Sequence, residues 1–216
     1  LAWHTDLGDT VRRDIVSSDG LEAILQKAGV TEDTTVVLYG DNNNWFAAWG
    51  AWVFDIHGLH DVKLLDGGRK YWEAQGLPLD TATPEYAASD IDLPSEPAPL
   101  RARLADVLAV VEGGADVSLV DIRGPAEYNG EIFAPEGVQE LSIRAGHIPG
   151  AVNFPWGGAV NEDGTFKSVD ELKAAFAAIG IDGSKPIITY CRIGERSSHT
   201  WFVLSRILGY EDRNYD

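Results

Sequence analysis

The sequence predicts an α/β protein built as two related domains, each a mainly parallel sheet flanked by helices. Three features carry that expectation. One gap-free shift superposes the first half on the second, strands alternate with helices inside each copy, and a proline-spaced stretch separates the copies.

The shift places Tyr39 on Tyr190, Ser17 on Ser168, Asp19 on Asp170, Leu21 on Leu172, Gly29 on Gly180 and Gly58 on Gly209. Apolar character follows the same register, with Leu25 on Phe176, Val36 on Ile187 and Ile56 on Ile207. A tandem duplication is the simplest source of such agreement. Each copy then reads as an amphipathic helix (18–28 and 168–179), a glycine stop, a short apolar strand, a turn and a second helix. The strands TTVVLYG and KPIITYC are apolar on both faces, as strands of a helix-covered parallel sheet must be, and SLVDIR near Leu119 reads the same way.

The connector LPLDTATPEYAASDIDLPSEPAPL has spaced prolines and little periodicity, so an extended linker is expected, with a boundary near Pro99. The expected organisation is therefore residues 1–80, a linker over 81–99, and residues 100–216. The second copy holds SLVDIR and AGHIPGAVNFP ahead of its matched helix, and the first copy has no counterpart. The first copy runs on through LLDGGRKYWEAQG past the position matching Asp216. These mismatches predict a first domain without its N-terminal part and a second without its last helix.

Composition narrows the partners. Seventeen Lys and Arg stand against 34 Asp and Glu, so a basic nucleic-acid footprint is absent and a small anionic substrate needs a local positive site. No apolar run reaches the roughly 20 residues of a membrane helix. A single cysteine forbids an internal disulfide and any C-x-x-C site, which predicts a cytoplasmic protein. The scattered histidines, His57 and His60 included, have no cysteine ligands nearby, and no metal is expected.

That one cysteine, Cys191, begins the run CRIGER at the junction of an apolar strand and a helix. Unpaired N–H groups of the turn and helix start, together with the helix dipole, favour an anion there. Arg192 and Arg196 add positive charge, so the thiol is expected to ionise readily. Gly194 lets the turn curl, and Glu195 opposes the cations unless it pairs with Arg196 or points to solvent. An isolated cysteine is more often a small buried apolar residue, but this one starts a basic, glycine-containing turn instead of continuing the strand. Trp45 to Trp52, rich in aromatics, reads as packing surface.

These residues resemble the tandem-domain rhodanese family, the thiosulfate and 3-mercaptopyruvate sulfurtransferases. LVDIRGPAEYNG, AGHIPGAVNFP, the six-residue loop Cys191 to Arg196 and LLDGGRKYW together carry the resemblance over essentially the whole chain. It implies a Cys191 persulfide, a loop of N–H donors around the sulfur, a catalytic second domain and a non-catalytic first one that helps wall the cleft. The shift agrees with the last point, because it puts Gly40 and Asp41 where Cys191 and Arg192 stand.

The resemblance further implies an anionic sulfur donor, a cyanide or thiol acceptor, and no cofactor. Thiosulfate is the expected donor, since Arg192 stands directly beside the nucleophile; mercaptopyruvate is the alternative, although its enzymes carry Gly after Cys. Ile193 departs from the thiosulfate pattern, which has a second basic residue at that place. Substrate contacts are expected from Arg192, Ile193, Gly194, Glu195 and Arg196. Arg123 matches a basic substrate position, against the simpler reading that Asp121 and Arg123 tie down the strand end. Glu127 does not match, and His147 reads as structural. A cysteine phosphatase is a competing class, but it needs C-x5-R, and Ser197 occupies that place. A rhodanese-like binding fragment without turnover is a third.

Overall fold

The computed structural model describes residues 1–9, 14–94, 98–137 and 144–216, so part of the expected linker, residues 95–97, lies outside the described residues. Two compact units emerge. Unit 1 comprises Leu1–Leu100 with Glu162–Thr165, and unit 2 comprises Arg101–Asn161 with Phe166–Asp216.

In unit 1 a short helix α1 (Trp3–Asp6) leads to the antiparallel pair β1 (Gly8–Asp9) and β2 (Asp14–Ile15). Helix α2 (Ser18–Lys27) follows, started by Ser17, whose hydroxyl accepts from the Gly20 amide, and ended at Gly29 with φ +72°. Leu21 and Leu25, one turn apart, are its buried face. Strand β3 (Val36–Leu38) pairs in parallel with β4 (Val62–Leu64), and α3 (Trp45–Ile56) connects them. Almost all of α3 is buried, which fits a helix apolar all round. Helix α4 (Gly68–Ala74) closes the unit, and residues 78–94 form no regular element.

The two histidines weighed as ligands are absorbed locally. His57 Nε2 donates to the Val16 carbonyl and Nδ1 accepts from the Ser18 hydroxyl, each at 2.9 Å, and burial lowers its pKa. His60 bonds the buried Asp55. Among the described residues no three His, Cys, Asp or Glu side chains converge as a metal site. No described helix is long and apolar enough to cross a membrane.

Unit 2 is a five-stranded, all-parallel sheet. Its strands β5 (Arg101–Ala102), β6 (Ser118–Asp121), β7 (Val152–Asn153), β8 (Ile187–Tyr190) and β9 (Asp212–Tyr215) lie in the order β5-β9-β8-β6-β7. Alternation sends successive side chains to opposite faces. Val120 and Ile187 join a core with Phe154, Leu172, Phe176, Val203 and Leu204, while Leu119, Ile188 and Tyr190 join one with Ala102, Val107 and Ala151. The covering helices are α5 (Leu104–Val111), α6 (Pro125–Tyr128), α7 (Val169–Ala177) and α8 (Glu195–Trp201). Ser168 caps α7 in a reciprocal box with Glu171. Helix α8 widens into a π-helical turn over Phe202–Ile207, closed by the Leu208 amide on the Val203 carbonyl.

Candidate active site

Cys191 stands at the carboxyl end of β8, which lies between β9 and β6, the position where open parallel sheets present ligand sites. Its side chain is half-buried against the core of unit 2, and the Ser197 hydroxyl lies 3.5 Å from Sγ. The turn from Arg192 to Gly194 hands the chain to α8, every residue of which is buried.

Gly194 is the hinge of this turn. Its φ of +79° is left-handed, and a side chain there would clash with the Asp216 Cβ. Its carbonyl accepts from Asn214 Nδ2 at 2.8 Å and from the Ser197 hydroxyl at 3.1 Å. Ser197 also bonds Asn214 Oδ1, so the fully buried Asn214 of β9 clamps both sides of the turn. Asp216, just beyond β9, pairs with Arg101. Neither Asn214 nor Asp216 was expected at the site. The polar run DRNY lacks the apolar pattern of a strand, and only its parallel register beside β8 brings it to the turn.

The two cations expected around the thiol have different fates. Arg192 is half-buried next to Cys191. Arg196 enters a buried, two-pronged ion pair, Nη1 to Glu127 Oε2 at 2.9 Å and Nη2 to Oε1 at 2.8 Å, while still interacting electrostatically with Cys191. Burial works against the charge on each partner, yet their mutual hydrogen bonds and charges, with the Cys191 sulfur adding to the pull on Arg196, prevail: Glu127 is held below the usual carboxylate range and Arg196 above its ordinary value. Glu127 additionally accepts from the Gly124 amide. Thus Arg196, expected as a substrate contact, is committed to α6, and Glu127, which fitted no expected role, is its partner.

Glu195 follows neither expected course. Arg196 is held by Glu127, and Glu195 is only 9% exposed instead of pointing to solvent. Desolvation pushes its carboxyl up to about 7 against the attraction of Arg192 and Arg196. Ile193, by contrast, is exposed.

Arg123 is engaged at the end of β6. Its guanidinium bonds the fully buried Asp121 carboxylate through Nε and Nη2, and Nη2 also donates to the Gly146 carbonyl at 2.7 Å. It ties the GHIPGA segment to the end of β6. The same segment is held by the Ile148 amide on the Tyr190 hydroxyl, and His147 stacks on Tyr128 with centroids 3.7 Å apart while bonding the Tyr128 carbonyl.

The matching turn of unit 1 is built differently. Asn42, Asn43 and Asn44 all have positive φ, and buried Asn44 accepts from the Gly40 amide and donates to the Leu65 carbonyl. Asp41 pairs with Arg69 in an exposed, two-pronged contact.

Comparison with known proteins accords with this architecture. The rhodanese-like domain family matches residues 2–75 and 103–216. A Mycolicibacterium smegmatis protein described as "Putative thiosulfate sulfurtransferase" is 49% identical over 100% of this chain and 78% of its own length. The "Sulfur carrier protein TtuD" of Thermus thermophilus is 48% identical over 99% of this chain and 76% of its own. The crystal structure of YnjE superposes with a TM-score of 0.82 at 29% identity, over 98% of this chain and 52% of that one. The chain thus spans about three-quarters of these curated relatives and about half of the solved chain, and it belongs to the rhodanese-like domain family.

Proposed function

We propose that the protein is a sulfurtransferase that carries a sulfane sulfur as a persulfide on Cys191, with thiosulfate as donor and cyanide or a thiol as acceptor. The observation that supports it most is the placement of the single thiol at the end of β8, in a turn clamped by Asn214 and Ser197, within a rhodanese-like domain. Relatives described as thiosulfate sulfurtransferases and as a sulfur carrier favour the same chemistry. A lone thiol also suits a reducing, cytoplasmic setting.

In the first half-reaction the Cys191 thiolate attacks the outer sulfur of thiosulfate. A new S–S bond forms, the original one breaks, and sulfite leaves with its electron pair. Cyanide carbon then attacks the outer persulfide sulfur, and thiocyanate departs as the Cys191 thiolate is restored. No net redox partner is required. Arg192, adjacent to the nucleophile, is assigned the sulfonate end of the donor. Unit 1, with Gly40 and Asp41 at the equivalent positions, is assigned no covalent role. Mercaptopyruvate is the alternative donor. A phosphatase reading is disfavoured by Arg196, whose guanidinium is already filled by Glu127.

Intact-mass analysis after thiosulfate should show a gain of one sulfur that cyanide removes, and Cys191→Ser should show none. Arg192→Ala should slow loading by thiosulfate far more than discharge to cyanide. Cyanide-labile sulfur on Cys191→Ser, or efficient aryl phosphate hydrolysis without thiocyanate formation, would overturn the proposal.

A further inference from the structure

The Cys191 sulfur lies within reach of a hydroxyl whose single proton has more than one acceptor. Ser197, fully buried on the first turn of α8, holds Oγ 3.5 Å from Sγ, 3.1 Å from the Gly194 carbonyl oxygen, and against Asn214 Oδ1. Asn214 donates Nδ2 to the same Gly194 carbonyl at 2.8 Å, which leaves its Oδ1 facing Ser197. The Gly194 carbonyl is thus already supplied with a donor. The Ser197 hydroxyl donates one hydrogen bond at a time, and its choice lies between the amide oxygen and the sulfur. Charge on the sulfur decides it. The neutral, bridging sulfur of a persulfide is a weaker acceptor than an amide oxygen, whereas a thiolate is a stronger one. Rotation about the Cβ–Oγ bond exchanges the two without moving a heavy atom.

We propose that Ser197 is a catalytic residue whose hydroxyl turns from Asn214 to Cys191 Sγ as the persulfide is discharged, stabilising the thiolate as the leaving group. The proposal rests on the sulfurtransferase reading and deepens it. In discharge the acceptor's lone pair forms a bond to the outer sulfur, the S–S bond breaks, and its electron pair returns to Sγ. Negative charge grows on the atom that Ser197 faces, so the O–H···S bond is stronger in the transition state than in the persulfide. No proton is transferred. Loading runs in the opposite sense: the thiolate already holds the hydrogen bond, and charge drains from Sγ as sulfite departs. The hydroxyl therefore lends no acceleration to that step.

The two units offer an internal comparison. The shift that relates them puts Gly40 where Cys191 stands and Phe46 where Ser197 stands. In strand register, Leu64 lies opposite Leu38 as Asn214 lies opposite Thr189. Unit 1, which has no thiol, has neither the hydroxyl nor the amide.

The test compares Ser197→Ala with the unmodified full chain in two single-turnover measurements. Discharge is thiocyanate formation after preloaded protein is mixed with cyanide. Loading is sulfite release after mixing with thiosulfate, taken on the alkaline plateau of its rate, where the thiolate is fully formed. Discharge should slow about ten-fold, the loss expected for one hydrogen bond to a charged group, while loading should stay within about three-fold. Ser197→Gly removes the same hydroxyl and carries the same expectation, and thermal melts check that both variants fold. Ser198→Ala removes a neighbouring buried hydroxyl that donates to the Glu195 carbonyl, and it should leave the ratio of the two rates unchanged.

A merely structural role in the turn would slow both half-reactions together. If the unmodified chain gains no cyanide-labile sulfur, the sulfurtransferase reading fails. If it does, yet discharge in the Ser197 variants is slowed no more than loading, or Ser198→Ala shifts the ratio as far as Ser197→Ala, this inference is overturned and the reading stands.

Discussion

Glu127→Ala isolates the ion pair that ties the helix following the Cys191 turn to α6. The side chains of Glu127 and Arg196 are 3% and 10% exposed and meet through two hydrogen bonds, so removing the carboxylate strands a guanidinium in the interior and orphans the Gly124 amide. Losing one partner of a buried pair costs about 3–5 kcal/mol. The exposed pair Arg69–Asp41, with similar geometry but side chains 51% and 59% exposed, is a useful contrast, and Asp41→Ala should cost under about 1 kcal/mol.

The assay is denaturant unfolding followed through unit 2, where Trp201 is fully buried. Glu127→Ala combined with Arg196→Met should recover much of the loss, because no buried charge is left uncompensated. The pH dependence has a defined sign. Glu127 titrates below its ordinary 4.5 in the folded state, so its contribution is present above that value and disappears as the pH falls through the folded pKa. Additive losses in the double variant, or a Glu127→Ala cost no larger than that of Asp41→Ala, would refute the assignment of the pair as the anchor.

Two further outcomes follow from the buttress on the other side of the turn. Asp212 is buried and its carboxyl is raised well above 3.8 by desolvation, despite accepting from the Thr189 amide and hydroxyl; its stabilising contribution is therefore complete at low pH and lost as the pH rises through the folded pKa. Asp212→Asn should flatten the fall in unfolding free energy over that window in a pH series, and an unchanged slope would contradict the upward shift of the Asp212 carboxyl. Gly194→Ala meets both a left-handed φ and the Asp216 backbone, whereas Gly209→Ala meets a left-handed φ of +72° with open space around it. Gly209→Ala should cost about 1 kcal/mol and Gly194→Ala distinctly more, with loss of thiosulfate loading; equal costs would mean that the Asp216 contact yields easily.

Much of this architecture was legible in the chain itself because it is written in local patterns. The helix expected over 18–28 forms at Ser18–Lys27, and the strand KPIITY, with Cys191 at its end, forms at Ile187–Tyr190. Periodicity, a capping serine and a glycine stop suffice for such elements. The helix expected to end at residue 179 stops at Ala177, a difference within ordinary end fraying. What escaped the reading depends on distance along the chain. Glu127 and Arg196 are 69 residues apart, and no periodicity relates them. Asn214 is 17 residues from Ser197 on a strand whose inward residues, Asp212 and Asn214, are polar, so the usual apolar signal is missing. The π-helical turn after Trp201 likewise has no composition that marks it.

The polar face of β9 has a consequence for how the protein is made. Its partners, Thr189, Gly194, Ser197 and Trp201, all precede it in the chain, and a slip by one residue would carry Arg213 into the place of Asp212. During synthesis from the N-terminus, β8, Cys191 and α8 emerge before the strand that secures them. The nascent chain thus carries its thiol in an unclamped turn until β9 docks between β5 and β8. Pairing of β9 with its neighbours and closure of the Cys191 turn become a single folding event.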